Sequence, residues 1–371
     1  MTGLLTAPAT RRATFHTLTV DRVERLTDEA VAITFAVPAE LAEAYDFVPG
    51  QHLTLKASID GAEVRNSYSI CQPRGEGAVT SLRVAAAKVP GGRMSPWLVD
   101  TVKPGDEIEV MTPMGTFTCP ATPDRARHHL AIAAGSGITP VFSLVSSALE
   151  REPQSRVTLL FGNRRTSSVM FLEELADLKD RFGARLHLVN VLSREAPDVE
   201  LFAGRLDRER LGRIFDALVP VDQVDEVYLC GPYGMVLDAQ AELAERGMDS
   251  AHVHHEIFHV DDAGAPKHTP VIVDESAPAE AVVTVNLDGR TTVIPMPSKL
   301  ETILDATLRA RPDAPYSCTG GVCGTCRARV VTGEVKMLRN YALEPDEVAA
   351  GIVLACQALP VSDTVELDYD A

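Results

Sequence analysis

The 371 residues carry a formal net charge of -17 with 45% hydrophobic residues, a size that suits two or three domains of about 150 residues each. The charge argues against nucleic acid and against an anionic membrane surface as partners. No apolar run reaches the roughly 18 residues of a membrane span, and residues 1–17 hold Arg11 and Arg12 but no apolar signal core, so a cytoplasmic location is expected.

Residues 1–14 show no periodicity and are expected to be disordered. From 15 to 124 the chain alternates in short runs, among them Leu18-Thr19-Val20, Val31 to Phe35, His52 to Leu55, Val64 to Ile70, Leu82 to Val84 and Ile108 to Val110. Turn signals such as Asp60-Gly61 and Pro104-Gly105-Asp106 separate them, the pattern of an antiparallel barrel. Two stretches there are candidates for chemistry. One is Arg65-Asn66-Ser67-Tyr68-Ser69. The other is Gly91-Gly92-Arg93-Met94-Ser95, a glycine turn opening a short helix, where free backbone N–H groups and an arginine suit a phosphate. Each stretch taken alone is better read as an ordinary strand or an ordinary capped helix.

From 125 to 260 strands alternate with helices, which predicts a parallel sheet. Leu130 to Ala134 is a buried strand, and Gly135-Ser136-Gly137-Ile138-Thr139-Pro140 follows it into an amphipathic helix. Strand, glycine turn and helix bring a pyrophosphate to a helix N-terminus, although Pro140 stands where the dinucleotide fingerprint has its third glycine. Later strands end at Asn163-Arg164-Arg165, at Ser193-Arg194 and at Cys230-Gly231-Pro232. Carboxyl ends of sheet strands are where nucleotides bind, and cations there favour a 2′-phosphate; solvated surface arginines are the plain alternative. Cys230 has two readings, a residue near the reacting atoms and a small buried hydrophobe. His254 and His255 are neighbours on a strand and so face opposite ways, which speaks against a metal site. Residues 261–280, rich in Asp, Ala, Pro and Glu, read as a linker.

The last segment, 281–371, opens with a hairpin and a helix near Thr302 to Ala310. Then comes Cys318-x4-Cys323-x2-Cys326, with Cys356 as a distant fourth thiol. That is the plant-type [2Fe–2S] spacing, in which two irons share four thiolates. Structural zinc usually pairs two short hooks, and an odd cysteine count argues against a disulfide framework. Glu344, Asp346 and Glu347 make an acidic patch before Cys356, either a docking face or a solvated surface.

Taken together, these stretches resemble the ferredoxin–NADP reductase superfamily, and over essentially the whole chain the reductase components of multicomponent oxygenases. The resemblance implies a flavin barrel, an α/β nicotinamide domain and a β-grasp ferredoxin domain. Tyr68 would then pack on the flavin ring of FAD, Ser69 would bond near its reactive nitrogen, and Gly92, Arg93, Met94 and Ser95 would meet the pyrophosphate. Gly135, Gly137, Thr139, Gly231 and Pro232 would flank the nicotinamide of NADPH, with Arg164, Arg165, Ser193 and Arg194 at its 2′-phosphate. Cys230, Glu256 and Phe258 would lie beside the hydride path, and Cys318, Cys323, Cys326 and Cys356 would hold the cluster. The chain departs from the pattern at Asn66, where an arginine is expected two places before the tyrosine, while Arg65 lies on the opposite strand face from Tyr68; either Arg65 bends round to the phosphate, Arg93 alone supplies the charge, or flavin binds more weakly than usual.

The stretches Phe15 to Val20 and Gly162 to Leu175 look most similar to reductases of phenylacetyl-CoA epoxidases. The implied function carries electrons from NADPH through FAD and [2Fe–2S] to an oxygenase partner. One alternative is an NADH-dependent reductase of a Rieske-type or other di-iron hydroxylase, for example in steroid breakdown. Another is a ferredoxin-like carrier with a defective flavin site.

Overall fold

Period-2 alternation lays down the first sheet. The computed structural model describes residues 13–119, 122–259, 271, 273–274 and 276–371; most of the expected disordered N-terminus and part of the expected 261–280 linker lie outside these. Strands β1 (Phe15–Thr27), β2 (Ala30–Ala36), β3 (His52–Ile59), β4 (Ala62–Ser69), β5 (Ser81–Ala87) and β6 (Glu107–Met111), with helix α1 (Met94–Asp100) between the last two, form a sheet in the order β4-β3-β6-β1-β2-β5. An antiparallel bridge from Ile70 to Val84 brings its two far edges together. Asp60 and Gly61 both have positive φ (53° and 74°), as a two-residue hairpin turn between right-twisted strands requires. Leu18, Val20, Ile33, Phe35, Leu53, Leu55, Leu82 and Val110 fill the interior, each side chain contributing roughly 1.5–3 kcal/mol by leaving water.

The second sheet is fully parallel. Strands β7 (His128–Ala134), β8 (Arg156–Asn163), β9 (Leu186–Leu192), β10 (Glu226–Pro232) and β11 (Val253–His259) run in the order β11-β10-β7-β8-β9. Helices α2 (Ile138–Arg151), α3 (Leu172–Phe182), α4 (Arg208–Leu218) and α5 (Tyr233–Glu245) are the crossovers. Pro140 is harmless in the first turn of α2, where its missing N–H would have had no helical partner. The chain runs outward from β7 to β9, then returns to place β10 on the other side of β7. The carboxyl ends of β7 and β10 therefore flank the switch point at which open α/β sheets bind ligands.

By their contacts these two sheets, apart from Arg65–Ser67 of β4, make one compact unit, and the C-terminal sheets belong to another. Within the first, Ala30, Ala32, Cys71, Ala85 and Phe117 of the antiparallel part share one apolar core with Ala131, Ala133, Phe142, Phe161 and Phe171. Polar ties reinforce the seam: Ser143 Oγ donates to the Gln72 carbonyl (2.7 Å), and Arg83 pairs with Glu174 (2.8 Å) while lying over the Phe171 ring. Near the amino end of β7, Glu152 is fully buried. It accepts from the Thr122 N–H (3.0 Å) and Ser155 Oγ (2.7 Å), bonds His129 Nε2 (3.0 Å) and pairs with Arg127. Burial pushes its carboxyl up, but these bonds prevail and hold it well below the usual range.

The second unit contains β12 (Ala281–Leu287), β13 (Arg290–Met296), α6 (Ile303–Ala310), β14 (Arg327–Thr332), β15 (Val335–Met337), α7 (Pro345–Ala349), β16 (Ile352–Leu354), β17 (Ala358–Pro360) and β18 (Thr364–Asp368). The sheet order is β13-β12-β18-β14-β16, with β15 and β17 forming a separate ribbon. A hairpin turn at Asp288-Gly289, both at positive φ, joins β12 to β13, and β18 returns parallel to β12. Helix α6 begins at Thr302, whose hydroxyl accepts from the Asp305 N–H (3.2 Å), and buries Ile303 and Ala306 in the sheet core. No helix among the described residues is long and apolar enough to cross a membrane.

Candidate functional site

The two glycine-bearing turns expected around a nicotinamide meet at the switch point. Gly135 has φ +54°, a left-handed turn that lets the chain leave β7 and enter α2. Gly137 has no room for a side chain, because a Cβ would stand 2.2 Å from the Cys230 carbonyl oxygen and 2.9 Å from the Gly231 nitrogen. A Cβ on Gly231 would in turn lie 3.2 Å from that of Ala134. Thr139 is buried and donates to the Ser136 carbonyl (3.0 Å), holding the turn in shape. Pro232 ends β10 and precedes α5.

Parallel register sets Cys230 beside Glu256 on adjacent strands. Burial, with Glu256 next to it, pushes the Cys230 thiol well up, so it stays protonated. Across from them in the same unit, Ser69 at the end of β4 is buried and its hydroxyl lies 3.4 Å from Glu256 Oε2. Ser69, Cys230 and Glu256 are thus brought together. Phe258, two residues along β11, is 36% exposed, which leaves its ring free to cover a planar ligand. His254 pairs with Glu226 (3.0 Å) while His255 meets Gln240 (3.3 Å), so the two histidines do face apart.

Along β4, Val64 and Tyr68 pack on the barrel core, and burial raises the Tyr68 phenol. Asn66 is exposed on the Tyr68 side of the strand and Arg65 lies on the other side. The expected pyrophosphate turn is largely self-satisfied. Ser95 Oγ accepts the Val89 N–H (3.0 Å), Gly92 N–H donates to the Val89 carbonyl (2.9 Å), and Met94 is buried in the barrel. Arg93 bonds the Ile59 carbonyl and lies 3.8 Å from exposed Asp60, so it reaches back to the β3–β4 hairpin.

The arginines expected at the 2′ position stand at the carboxyl ends of β8 and β9, all exposed. Backbone bonds hold the two segments side by side: Ser193 N–H to Asn163 O (2.9 Å) and Arg194 N–H to Arg164 O (2.8 Å).

In the second unit the four thiols converge. Cys318, Cys323 and Cys326 lie on the loop between α6 and β14, in which Thr319, Gly321 and Gly324 take positive φ. Cys356 arrives on a single turn after β16. The Gln357 amide donates to Thr319 O (2.8 Å), and Ala355 N–H donates to Cys326 O (3.0 Å). The thiols associate in twos, Cys318 with Cys323 and Cys326 with Cys356. Among the described residues no three such side chains gather closely enough for one ion. Pairs of thiols are the donor set for two irons, so the residues fit a binuclear cluster. The Cys318 thiol is held below its usual value, first by its hydrogen bond with Cys323; the Gly320 N–H, pointed at the sulfur (3.4 Å), adds to this. Nearby, Glu344 and Glu347 form a reciprocal cap on α7, and Glu347 also pairs with Arg327. Two acids of the expected docking patch are therefore engaged in holding the fold.

Two side chains in these places were not singled out from the sequence. His52 is buried with Nδ1 3.9 Å from Glu256 Oε1. Glu195 bonds Thr166, which directly follows Arg164-Arg165. The only sequence cue for the first was a lone histidine in an apolar strand, and for the second an acid directly after Arg194.

Comparison with known proteins agrees with this layout. Family models match residues 17–119 (oxidoreductase FAD-binding domain), 131–241 (oxidoreductase NAD-binding domain) and 285–361 (2Fe-2S iron-sulfur cluster binding domain). The chain is 45% identical over 358 residues to one of the subunits of 1,2-phenylacetyl-CoA epoxidase from Escherichia coli K12, covering 96% of this chain and 98% of that one. It is 35% identical to the ferredoxin reductase component of 3-ketosteroid-9-alpha-monooxygenase from Rhodococcus rhodochrous, covering 95% and 96%. In structure it matches phthalate dioxygenase reductase over 95% of this chain and 98% of that one, with TM-score 0.55 at 22% identity, which speaks to the fold. The chain belongs to the family of oxygenase reductase components, oxidoreductases that carry FAD, pyridine nucleotide and a [2Fe–2S] cluster in one polypeptide.

Proposed function

We propose that this reductase takes electrons from NADPH and delivers them to the oxygenase of a phenylacetyl-CoA epoxidase, in the cytoplasm and without nucleic acid as a partner. The domains would span 15–124, 125–260 and 281–371. The observation that carries the electron path is the meeting of Ser69, Cys230 and Glu256 where the glycine turns of β7 and β10 interlock. When bound, FAD accepts a hydride and gives up its electrons singly, and the cluster passes them on one at a time.

The chain's own residues do the positioning. Gly135, Gly137, Thr139, Gly231 and Pro232 present backbone to the nucleotide at close range, while Arg164, Arg165, Ser193 and Arg194 favour a 2′-phosphate. Tyr68, Asn66, Gly92, Arg93, Met94 and Ser95 would hold FAD, while Arg65, on the other face of β4, would have to bend round to reach its phosphate. Ser69 and Glu256, 3.4 Å apart, would lie beside the reacting ring of FAD, and Phe258 would cover it. Protonated Cys230 adds no charge to the hydride path. Cys318 and Cys323 would bind one iron, Cys326 and Cys356 the other.

Support for the substrate is the 45% identity along both full lengths. The test is NADPH oxidation by this protein with a phenylacetyl-CoA oxygenase complex, with and without phenylacetyl-CoA. A rise that needs the thioester supports the reading. No rise, with an artificial one-electron acceptor still reduced, leaves a reductase of another oxygenase.

A further inference from the structure

The arginine cluster at the ends of β8 and β9 contains an anion of its own. Glu195 Oε2 accepts the Thr166 backbone N–H at 2.8 Å, and Oε1 accepts the Thr166 hydroxyl at 2.8 Å. These two bonds, the backbone one first, hold the carboxyl below its usual value, and the nearby Arg165 charge adds to them. A backbone amide and a hydroxyl converging on one oxygen pair, with a guanidinium charge in the vicinity, make an anion receptor. Here it is filled from within the chain. The backbone ties between Arg164 and Arg194 and between Asn163 and Ser193 fix the receptor next to the residues assigned to the 2′ position.

We propose that Glu195 sets the choice between NADPH and NADH, because its carboxylate occupies the donors that a 2′-phosphate would use and offers an acceptor to a free 2′-hydroxyl. The inference rests on the assignment of Arg164 and Arg165 to the 2′ position. A phosphate dianion and a carboxylate cannot share the Thr166 donors, so NADPH must displace Glu195. A ribose hydroxyl instead donates to the carboxylate and leaves it in place. Specificity is the difference between these two interactions.

The experiment measures kcat and KM for NADPH and for NADH, with the holoenzyme reducing an artificial one-electron acceptor. It compares the natural chain with Glu195→Gln and with an Arg164→Ala, Arg165→Ala double variant. Glu195→Gln is expected to raise the NADPH-to-NADH ratio of kcat/KM about tenfold, through KM and not kcat, by removing one charge-assisted competitor. A ratio within about twofold of the natural chain, while the arginine variant still loses NADPH efficiency, overturns the role of Glu195 and leaves the NADPH assignment standing. An arginine variant that binds both cofactors as before overturns that assignment and this proposal together.

Discussion

Replacing Gly137 by alanine tests the switch-point geometry directly. The new Cβ would lie 2.2 Å from the Cys230 carbonyl oxygen and 2.6 Å from its carbon. A tolerable carbon–oxygen contact is roughly 3.3 Å, so the overlap is about 1 Å. Both obstacles are backbone, and Cys230 is held between β7 and β11 on either side. No rotamer change relieves the clash, so the two turns must part. Overpacking of this kind costs about 2–3 kcal/mol and should lower Tm by roughly 5–10 °C. A shift of about 1 Å at the nucleotide turn should also reduce kcat/KM for the pyridine nucleotide by about 100-fold. Thermal melts of the holoprotein and NADPH oxidation with an artificial acceptor, at matched flavin content, read the two effects. A Gly137→Ala holoprotein with natural Tm and natural KM would refute the interlock.

Three further outcomes follow from the same structure. Glu152→Ala removes the carboxylate between Arg127 and His129 and should destabilise the first unit by about 3–5 kcal/mol in urea titrations; a loss under about 1 kcal/mol would show that the buried ion cluster is not what ties β7 to α2. Burial lowers His52 to about 4 from 6.5, so the unfolded chain binds the proton more tightly, stability is full above about pH 6.5, and it falls as the pH drops toward 4. Between pH 7 and 5 the loss from this residue is about 2 kcal/mol, and a His52→Gln variant whose stability declines with acid as steeply as the natural chain would contradict this. Cys356→Ser should lower bound iron and acid-labile sulfide together while flavin content holds; full cluster occupancy would remove Cys356 from the ligand set.

Much of this architecture is readable from local pattern. The cysteine spacing, the turn glycines and the change from period-2 runs to strand–helix alternation at residue 128 are all local signals, and the sheets follow them. What pairs across long separations is not local. Nothing near His52 or Ser69 in the chain announces Glu256, because their proximity comes from the packing of one sheet on another. Glu195 was hidden for a different reason: its partner Thr166 lies on the next strand's loop, and an exposed acid beside an arginine looks like ordinary surface. The Glu344 and Glu347 pair shows the converse, since an acidic run that suggests docking is partly explained by capping a five-residue helix.

The apolar seam between the first two sheets has a consequence for how this protein can be cut and how it melts. Ala30, Ala32, Ala85 and Phe117 have their burial completed by residues of the parallel sheet. A fragment ending between the two sheets would expose that shared face and invite aggregation. Calorimetry should accordingly record the two N-terminal sheets as a single cooperative transition, with equal van't Hoff and calorimetric enthalpies for that peak. Gene fusions that reuse this flavin barrel would be expected to carry the nicotinamide half along with it.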